Sequence, residues 1–317
     1  MTEATYRGLG GLRALLRGGR RALWRYTGTL FAVFLAQSVL AVACMLGVAM
    51  VLTQTFSRLP MFDEAVDGDL VALIWVVRHE PGSFVAIAGV IFAAVIVWQV
   101  AAWFLAGGLY GVLAQRPEGR ADTVRSFGAS GAGTYFAYAR LAVVSLLGYM
   151  VVLTVFGATL SAAWQRLEYA LTLGDLLAAL AIVAIPTGAL ALFFGTVTDY
   201  ARVELTLRYE SHRPSAFATY LRTVGYVLRH PLTVVHAGVG WLLVILVSLA
   251  YVYIAHDHPM YGAGGAITLF FVRQGMSLAR MAIRVAIMAG QIELGRTRRL
   301  PPPRRLEPPQ QPTEHAE

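Results

Sequence analysis

Residues 26–57 read YTGTLFAVFLAQSVLAVACMLGVAMVLTQTFS, and none of these side chains carries a charge. A helix of about 20 apolar residues is long enough to cross the hydrocarbon core of a bilayer. This stretch therefore predicts a membrane-spanning helix. Because the run is too long for the apolar region of a cleaved signal peptide, we expect it to remain in the mature chain.

Four more charge-free runs follow, and each is long enough to cross the membrane once. A sixth apolar segment is interrupted by three arginines, so hydropathy alone leaves it open. When this sixth segment is counted as a span, the sequence predicts an all-α fold, a polytopic transmembrane bundle of six helices in residues 26–292. The six predicted spans lie at about 26–53, 83–113, 137–163, 176–198, 231–255 and 266–291.

The composition agrees with a membrane protein. Of all residues 57% are hydrophobic and 14% are charged, whereas soluble domains carry about 25% charged residues. All 26 basic residues are arginine, which indicates a GC-rich bacterial genome. Because these arginines cluster beside the apolar runs, we expect the net charge of +8 to reflect membrane topology and not a nucleic-acid partner.

Arginines dominate both ends of the chain and the two predicted inner loops. The first outer loop is acidic and includes Asp63, Glu64 and Asp67. Since basic residues stay on the cytoplasmic side, both termini are predicted to lie inside, which an even number of spans satisfies. The expected location is the bacterial inner membrane, and membrane lipids are the expected partners.

Three segments outside the spans have their own patterns. Residues 1–25 predict a basic amphipathic helix on the inner leaflet, although Gly18 and Gly19 each weaken a helix. Between spans four and five the sequence predicts two cytoplasmic amphipathic helices, which rest on lipid or dock a protein partner. The first continues span four through Glu204 and Arg208; the second begins after Ser215 and carries an apolar stripe of Phe217, Leu221, Val224 and Leu228. The Pro-rich tail, 293–317, is predicted to be disordered.

Glycines suggest two further features. Gly107 and Gly111 form a small-x-x-x-small pair, which permits close helix approach. Gly128, Gly131 and Gly133 predict a flexible entry to the third span.

The last span carries the most informative polar residues. Arg273, Arg280 and Arg284 share one helix face. Because each charge at mid-bilayer costs at least about 2.5–3.5 kcal/mol, we expect them to face the bundle interior. The candidate polar site comprises Arg273, Gln274, Arg280 and Arg284, with Gln37 and Gln99 as partners for Arg273. Asp199 and Arg202 are a candidate pair at the inner end, where Asp199 could also meet Arg284.

Two interpretations of this face stay open. One is an anion site for a phosphate or carboxylate head group. The other is structural, with Arg280 and Arg284 reaching the inner interface and Arg273 pairing with another helix.

Motifs for other chemistry are missing from the sequence. It contains no Gly-x-Ser-x-Gly, His-Glu-x-x-His or Cys-x-x-Cys pattern, so we predict no catalytic residues and no cofactor. His256, Asp257 and His258 lack further ligands nearby, so no metal site is predicted.

Four segments resemble a group of bacterial six-helix membrane proteins of unknown function, including the membrane domain attached to some glycerophosphoryl diester phosphodiesterases. They are the basic N-terminal segment, residues 199–202 (DYAR), residues 229–231 (RHP) and the face from Gln274 to Arg284. The phosphodiesterase catalytic domain itself is missing from this sequence. The resemblance implies a helical membrane module that assists lipid-linked metabolism or transport.

The sequence therefore predicts a non-enzymatic inner-membrane protein, an accessory or permease-like subunit that handles a lipid or amphiphilic anion. The alternative is a structural membrane scaffold that recruits partners through its cytoplasmic helices and tail.

Overall fold

The computed structural model of the chain describes residues 9–56, 81–167, 172–208, 215–257 and 263–297. All regular structure in these ranges is α-helical, which confirms the all-α prediction. The described helices are α1 (Leu9–Arg25), α2 (Thr27–Phe56), α3 (Pro81–Gln115), α4 (Arg120–Leu167), α5 (Leu173–Arg208), α6 (Ala216–Arg229), α7 (Pro231–Asp257) and α8 (Ala263–Thr297).

Five helices, α2, α3, α4, α5 and α7, are long and apolar enough to cross a membrane. Their large apolar side chains are mostly left uncovered by the rest of the protein, for example Phe92, Leu153 and Leu246. Such a surface is stable where hydrocarbon is the solvent, so these helices indicate a multi-pass membrane protein. Helix α8 is not one of the five, and its crossing and the side on which each terminus lies stay predictions.

The protein core lies toward one end of the bundle. Its best-buried side chains come from α1, from the C-terminal parts of α3, α5 and α8, and from the middle of α4. The N-terminal half of α8 is uncovered at Ile267, Phe270 and Phe271. The core side chains include Leu15, Tyr110, Val112, Tyr138, Leu141, Val197, Leu205, Ile292 and Leu294.

Helices α3 and α4 form a tightly packed hairpin. A Cβ atom at Gly107 would overlap Thr134, and one at Gly111 would overlap Ser130, so these glycines allow the close approach that their spacing predicts. Helix α3 ends where Arg116 adopts a left-handed backbone with φ of 57°, and the guanidinium of Arg116 forms an ion pair with Glu293 of α8.

The predicted flexible entry to the third span is wrong. Gly128, Gly131 and Gly133 lie inside α4, which already begins at Arg120. At Gly131 a Cβ atom would lie 3.0 Å from the Phe104 carbonyl oxygen, so this glycine serves helix packing. This role of Gly131 could not be predicted, because the sequence does not show that the α3 backbone lies beside it.

Glycines also join α1 to α8. A Cβ atom at Gly18 would lie 2.7 Å from the Ala289 carbonyl oxygen, and one at Gly19 would lie 3.1 Å from that of Ala286. Helix α1 is unbroken, with Leu15 and Ala22 buried. The close contact with α8 therefore offsets the low helix propensity of these glycines.

Helix α6 buries its polar side and leaves its apolar side uncovered. Thr219, Tyr220 and Thr223 are buried, and burial raises the pKa of the Tyr220 hydroxyl above its usual value. In the predicted stripe, Phe217, Leu221 and Leu228 are 51%, 54% and 67% exposed, with Val224 half-buried. Ser215 occupies the N-cap position without a capping hydrogen bond from its side chain.

At the helix ends, α5 continues to Arg208, whose guanidinium lies 3.3 Å from the Glu204 carboxylate at the predicted i,i+4 spacing. Helix α8 continues to Thr297, so residues 293–297 are helical and the tail predicted from 293 begins too early. The acidic outer loop, His258, residues 1–8 and residues 298–317 lie outside the described residues.

Candidate functional site

The structure does not turn the whole arginine face of α8 inward. Arg273 and Arg284 are exposed and Arg280 is half-buried. Neighbouring helices cover α8 most closely near its C-terminal end, around Val285 and Ile292, and they bury Leu269 nearer its start, but the arginine side of the helix is not covered at Arg273 and Arg284. The expectation that all three guanidinium groups lie inside the bundle is therefore not met at Arg273 and Arg284.

The two α8 arginines nearer the core still have distinctive surroundings. The Nε atom of Arg280 is enclosed and has no hydrogen-bond partner among the described residues. The guanidinium carbon of Arg284 lies 5.2 Å from the centroid of the Trp241 ring on α7, within cation–π range. Both arginines thus keep N–H donors available for a further partner.

The glutamines predicted as partners do not meet Arg273. Gln37 is half-buried and Gln99 is exposed, and in the described part of the chain no hydrogen bond joins either of them to Arg273. Gln274 is half-buried beside it on α8.

Asp199 pairs within its own helix. Its carboxylate lies 3.2 Å from the Arg202 guanidinium, one turn later on α5. Arg284, the predicted partner, also acts on Asp199 electrostatically but forms no ion pair with it within 4.0 Å. The Asp199 and Arg202 side chains are largely covered by the surrounding helices but remain 30% and 26% exposed.

Two tyrosines from neighbouring helices line the same place. The hydroxyl of Tyr138 on α4 lies 2.6 Å from that of Thr206 and 3.3 Å from the Arg202 carbonyl oxygen. Tyr110 on α3 packs edge-to-face against Tyr138, with ring centroids 6.2 Å apart. The Tyr110 hydroxyl is fully buried near Asp199 and faces the Arg202 guanidinium, although the two do not meet normal hydrogen-bond geometry.

Gln291 of α8 completes this site. Its side chain is fully buried, and its amide acts as a donor toward the Asp199 carboxylate, although the contact falls short of normal hydrogen-bond geometry. The amide oxygen has no hydrogen-bond partner among the described residues, and an unsatisfied buried polar group costs about 1–3 kcal/mol. Water or the polar end of a ligand would supply the missing partner.

We name Tyr110, Asp199, Arg202, Arg284 and Gln291 the polar crevice. Sequence reasoning found its charged members and missed Tyr110 and Gln291. Gln291 did have a signal, because it follows Arg284 at the same seven-residue spacing that separates Arg273 from Arg280. Tyr110 had none, since tyrosine is common near membrane interfaces for other reasons.

The charge of the crevice selects among ligands. One carboxylate faces two guanidinium groups, which leaves an excess of positive charge and many N–H donors. No group of three or more His, Cys, Asp or Glu side chains in the described ranges could hold a metal ion. The arrangement is thus suited to the oxygen atoms of an anion.

A second cavity, of about 790 Å³, is an apolar groove between α2 and α3. Its size falls within the range of about 300–1,000 Å³ that is usual for ligand pockets. The only polar side-chain group among its lining residues is the Tyr135 hydroxyl. These residues are Ala32, Leu35, Ala36, Val39, Leu40, Ala43, Val100, Ala101, Phe104, Leu105 and Tyr135.

Comparisons of the chain with protein-family models, with curated proteins and with solved structures found no match.

Proposed function

We propose that this chain is a non-enzymatic protein of the bacterial inner membrane that binds an amphiphilic anion, such as a phospholipid, and handles it as an accessory or permease-like subunit. The observation that carries the proposal is the positive charge that Arg284 adds to the Asp199–Arg202 pair, beside a buried Gln291 amide whose oxygen has no hydrogen-bond partner among the described residues.

The electrostatics favour an anion over a neutral ligand. Asp199 balances Arg202, so the charge of Arg284 has no carboxylate within 4.0 Å in the described residues. Uncompensated charge within membrane-spanning helices is costly. A phosphate or carboxylate group would offset this cost and accept two parallel hydrogen bonds from one guanidinium group.

The apolar surfaces support an amphiphile over a small soluble anion. The α2–α3 groove offers an apolar space of ligand size, and the uncovered faces of the helices leave room for acyl chains beside the bundle. A ligand with a charged head and an apolar tail would satisfy both kinds of surface. The resemblance to membrane modules of lipid metabolism points in the same direction.

The proposal places α8 as the sixth span, with both termini in the cytoplasm. The arginines of the N-terminal segment, of the inner loops and of the tail support this orientation. In this arrangement the crevice lies toward the cytoplasmic end of the bundle.

The test is the binding of a fluorescent lysophospholipid with a free phosphate head to the full chain in detergent. Arg280→Gln together with Arg284→Gln should weaken binding on the order of 10- to 100-fold, because a hydrogen bond to a charged group contributes about 1.5–3 kcal/mol. The matched control is Arg120→Gln with Arg125→Gln, two exposed arginines of α4. Equal losses in both variants, or equal binding of a zwitterionic analogue, would contradict the proposal.

The second candidate is a scaffold that recruits a protein partner. The uncovered stripe of Phe217, Leu221 and Leu228 on α6 favours it, because exposed apolar patches mark contact surfaces. In this alternative a partner covers the stripe and shields it from lipid.

A further inference from the structure

Three arginines and a tryptophan surround a hollow on α1. Arg17, Arg20, Arg21 and Trp24 enclose about 290 Å³. All four side chains are exposed, and Trp24 is 84% exposed. A large aromatic ring that the protein leaves uncovered needs another contact, and the membrane interface is the usual one.

The helix that carries the hollow is held in place because the other side of α1 is docked on α8. Gly18 and Gly19 lie against the backbone of α8, so the three arginines face away from that helix. The Nε–H group of Arg17 donates a hydrogen bond to the Arg13 carbonyl oxygen at 3.3 Å, which orients its guanidinium. This hydrogen bond reduces the conformational entropy that the Arg17 side chain would lose when a ligand binds.

The positive charge in the hollow has no counter-charge in the described structure. Helix α1 contains no acidic residue. None of the ion pairs within the described ranges includes Arg17, Arg20 or Arg21; the pair nearest in sequence joins Arg25 to Glu118 at 3.6 Å. Three adjacent guanidinium groups repel one another, so an anion with several oxygen atoms would stabilise them.

The chain places this hollow beside a membrane surface. Helix α1 ends at Arg25, and the first candidate span begins at Thr27. Leu16, on the exposed side of α1, is 62% exposed and adds a second apolar contact. Tryptophan and arginine together at the end of a span are typical of the headgroup region.

We infer that this hollow binds the headgroup of a lipid that carries two phosphate groups. A lipid with one phosphodiester brings a single negative charge to three guanidinium groups, whereas two phosphates bring two charges and more acceptor oxygens. Basic pockets at the cytoplasmic side of membrane helices bind headgroups of this kind. The site is separate from the polar crevice and does not depend on the proposed function.

The experiment is native mass spectrometry of the full chain, titrated with diphosphatidylglycerol, which has two phosphates, or with phosphatidylglycerol, which has one. We expect the lipid with two phosphates to bind at least about tenfold more tightly. Changing Arg17, Arg20 and Arg21 to Gln together should weaken its binding on the order of 100-fold, since each arginine near a lipid surface contributes about a factor of five. Trp24→Ala, which removes no charge, should weaken it several-fold.

Two controls separate this site from general charge effects and from the crevice. Arg120→Gln, Arg125→Gln and Arg229→Gln together remove three other exposed arginines and should change binding by less than about threefold. In a chain that also carries Arg280→Gln and Arg284→Gln, which remove binding at the crevice, the three α1 substitutions should still weaken binding by the same factor.

Three results would overturn the inference: equal losses in the α1 variant and its three-arginine control, equal affinity for the two lipids, or displacement of the lipid by inorganic pyrophosphate at the affinity of the lipid itself. The last would assign the hollow to a free phosphate compound. Should the triple variant fail to fold, an unchanged affinity in Trp24→Ala would count against the inference.

Discussion

Gly18 and Gly19 bring the backbones of α1 and α8 so close together that no side chain fits between them. Their effect on stability therefore has two opposite parts. In an isolated helix each glycine costs about 1 kcal/mol relative to alanine. In the folded protein the same missing side chain allows the contact that holds α1 in place.

Gly18→Ala should destabilise the protein by about 1–3 kcal/mol, because the new Cβ atom would overlap the Ala289 carbonyl group and force the helices apart. The measurement is the midpoint of thermal unfolding in detergent. Gly28→Ala is the matched control, since nothing lies within 4 Å of a Cβ atom there. Its midpoint should stay the same or rise, and a fall equal to that of Gly18→Ala would contradict this account of the contact.

For the site, the sequence could identify the charged residues but could not predict all of their contacts. Asp199, Arg202 and Arg284 could be identified as candidates because charge within an apolar run is visible without a structure. Asp199 and Arg202 were also a candidate pair, and their side chains lie 3.2 Å apart. The sequence could not tell whether Arg284 joins them, since the carboxylate of Asp199 had partners available both on its own helix and on α8. Gln37 and Gln99 show the same limit, because similar depth in the membrane does not fix the direction in which a side chain points.

At the scale of elements, α6 packs in the opposite way from an amphipathic helix of a soluble protein, which buries its apolar side and exposes its polar side. Its hydroxyl-bearing residues Thr219 and Thr223 pack inward, and Phe217, Leu221 and Leu228 point outward. Of the predicted stripe, Phe217, Leu221 and Leu228 are exposed while Val224 packs against the core. Periodicity alone does not tell which face of the helix meets the protein. Helices α4 and α5 decide this by covering the polar face.

We expect the α6 stripe to touch lipid. In a Cys44→Ala background, a fluorophore on a cysteine at position 221 should be strongly quenched by brominated phospholipids, and one at position 222 should be quenched much less. The reason is that Leu221 lies in the uncovered stripe while the Arg222 guanidinium lies 3.6 Å from Glu204 of α5. Weak quenching at both positions would favour a protein partner that covers the stripe.

At the scale of the whole molecule, hydropathy predicted the positions of the membrane helices well. The apolar run predicted at 26–53 lies in α2 apart from its first residue, and the run at 231–255 falls within α7, since hydrocarbon demands uninterrupted apolar helix. Helix ends were predicted less well. Helix α4 begins at Arg120, far before the predicted 137, because its polar first part packs against α3 through Gln115 and Ser126, whose side chains lie 2.5 Å apart.

Both termini should lie on the cytoplasmic side if α8 crosses the membrane. In a Cys44→Ala background, cysteines placed at Thr5 and at Thr313 should react with a membrane-impermeant maleimide only after spheroplasts are lysed. A cysteine at Asp67, in the predicted outer loop, is the positive control and should react in intact spheroplasts. Labelling at Thr313 but not at Thr5 before lysis would mean that α8 does not cross and that the chain has five spans.

The length of α4 has a consequence for what this protein presents to its surroundings. Its 48 residues measure roughly 72 Å along a straight helix, whereas a bilayer with its headgroups is about 40–45 Å thick. If α4 crosses the bilayer, then even at a tilt of about 40° it would extend beyond the headgroups, and α3 is tied to it by the side chains near the hairpin tip. The turn between α3 and α4 would then stand off the membrane, and a molecule bound there would be held at a set height above the lipid.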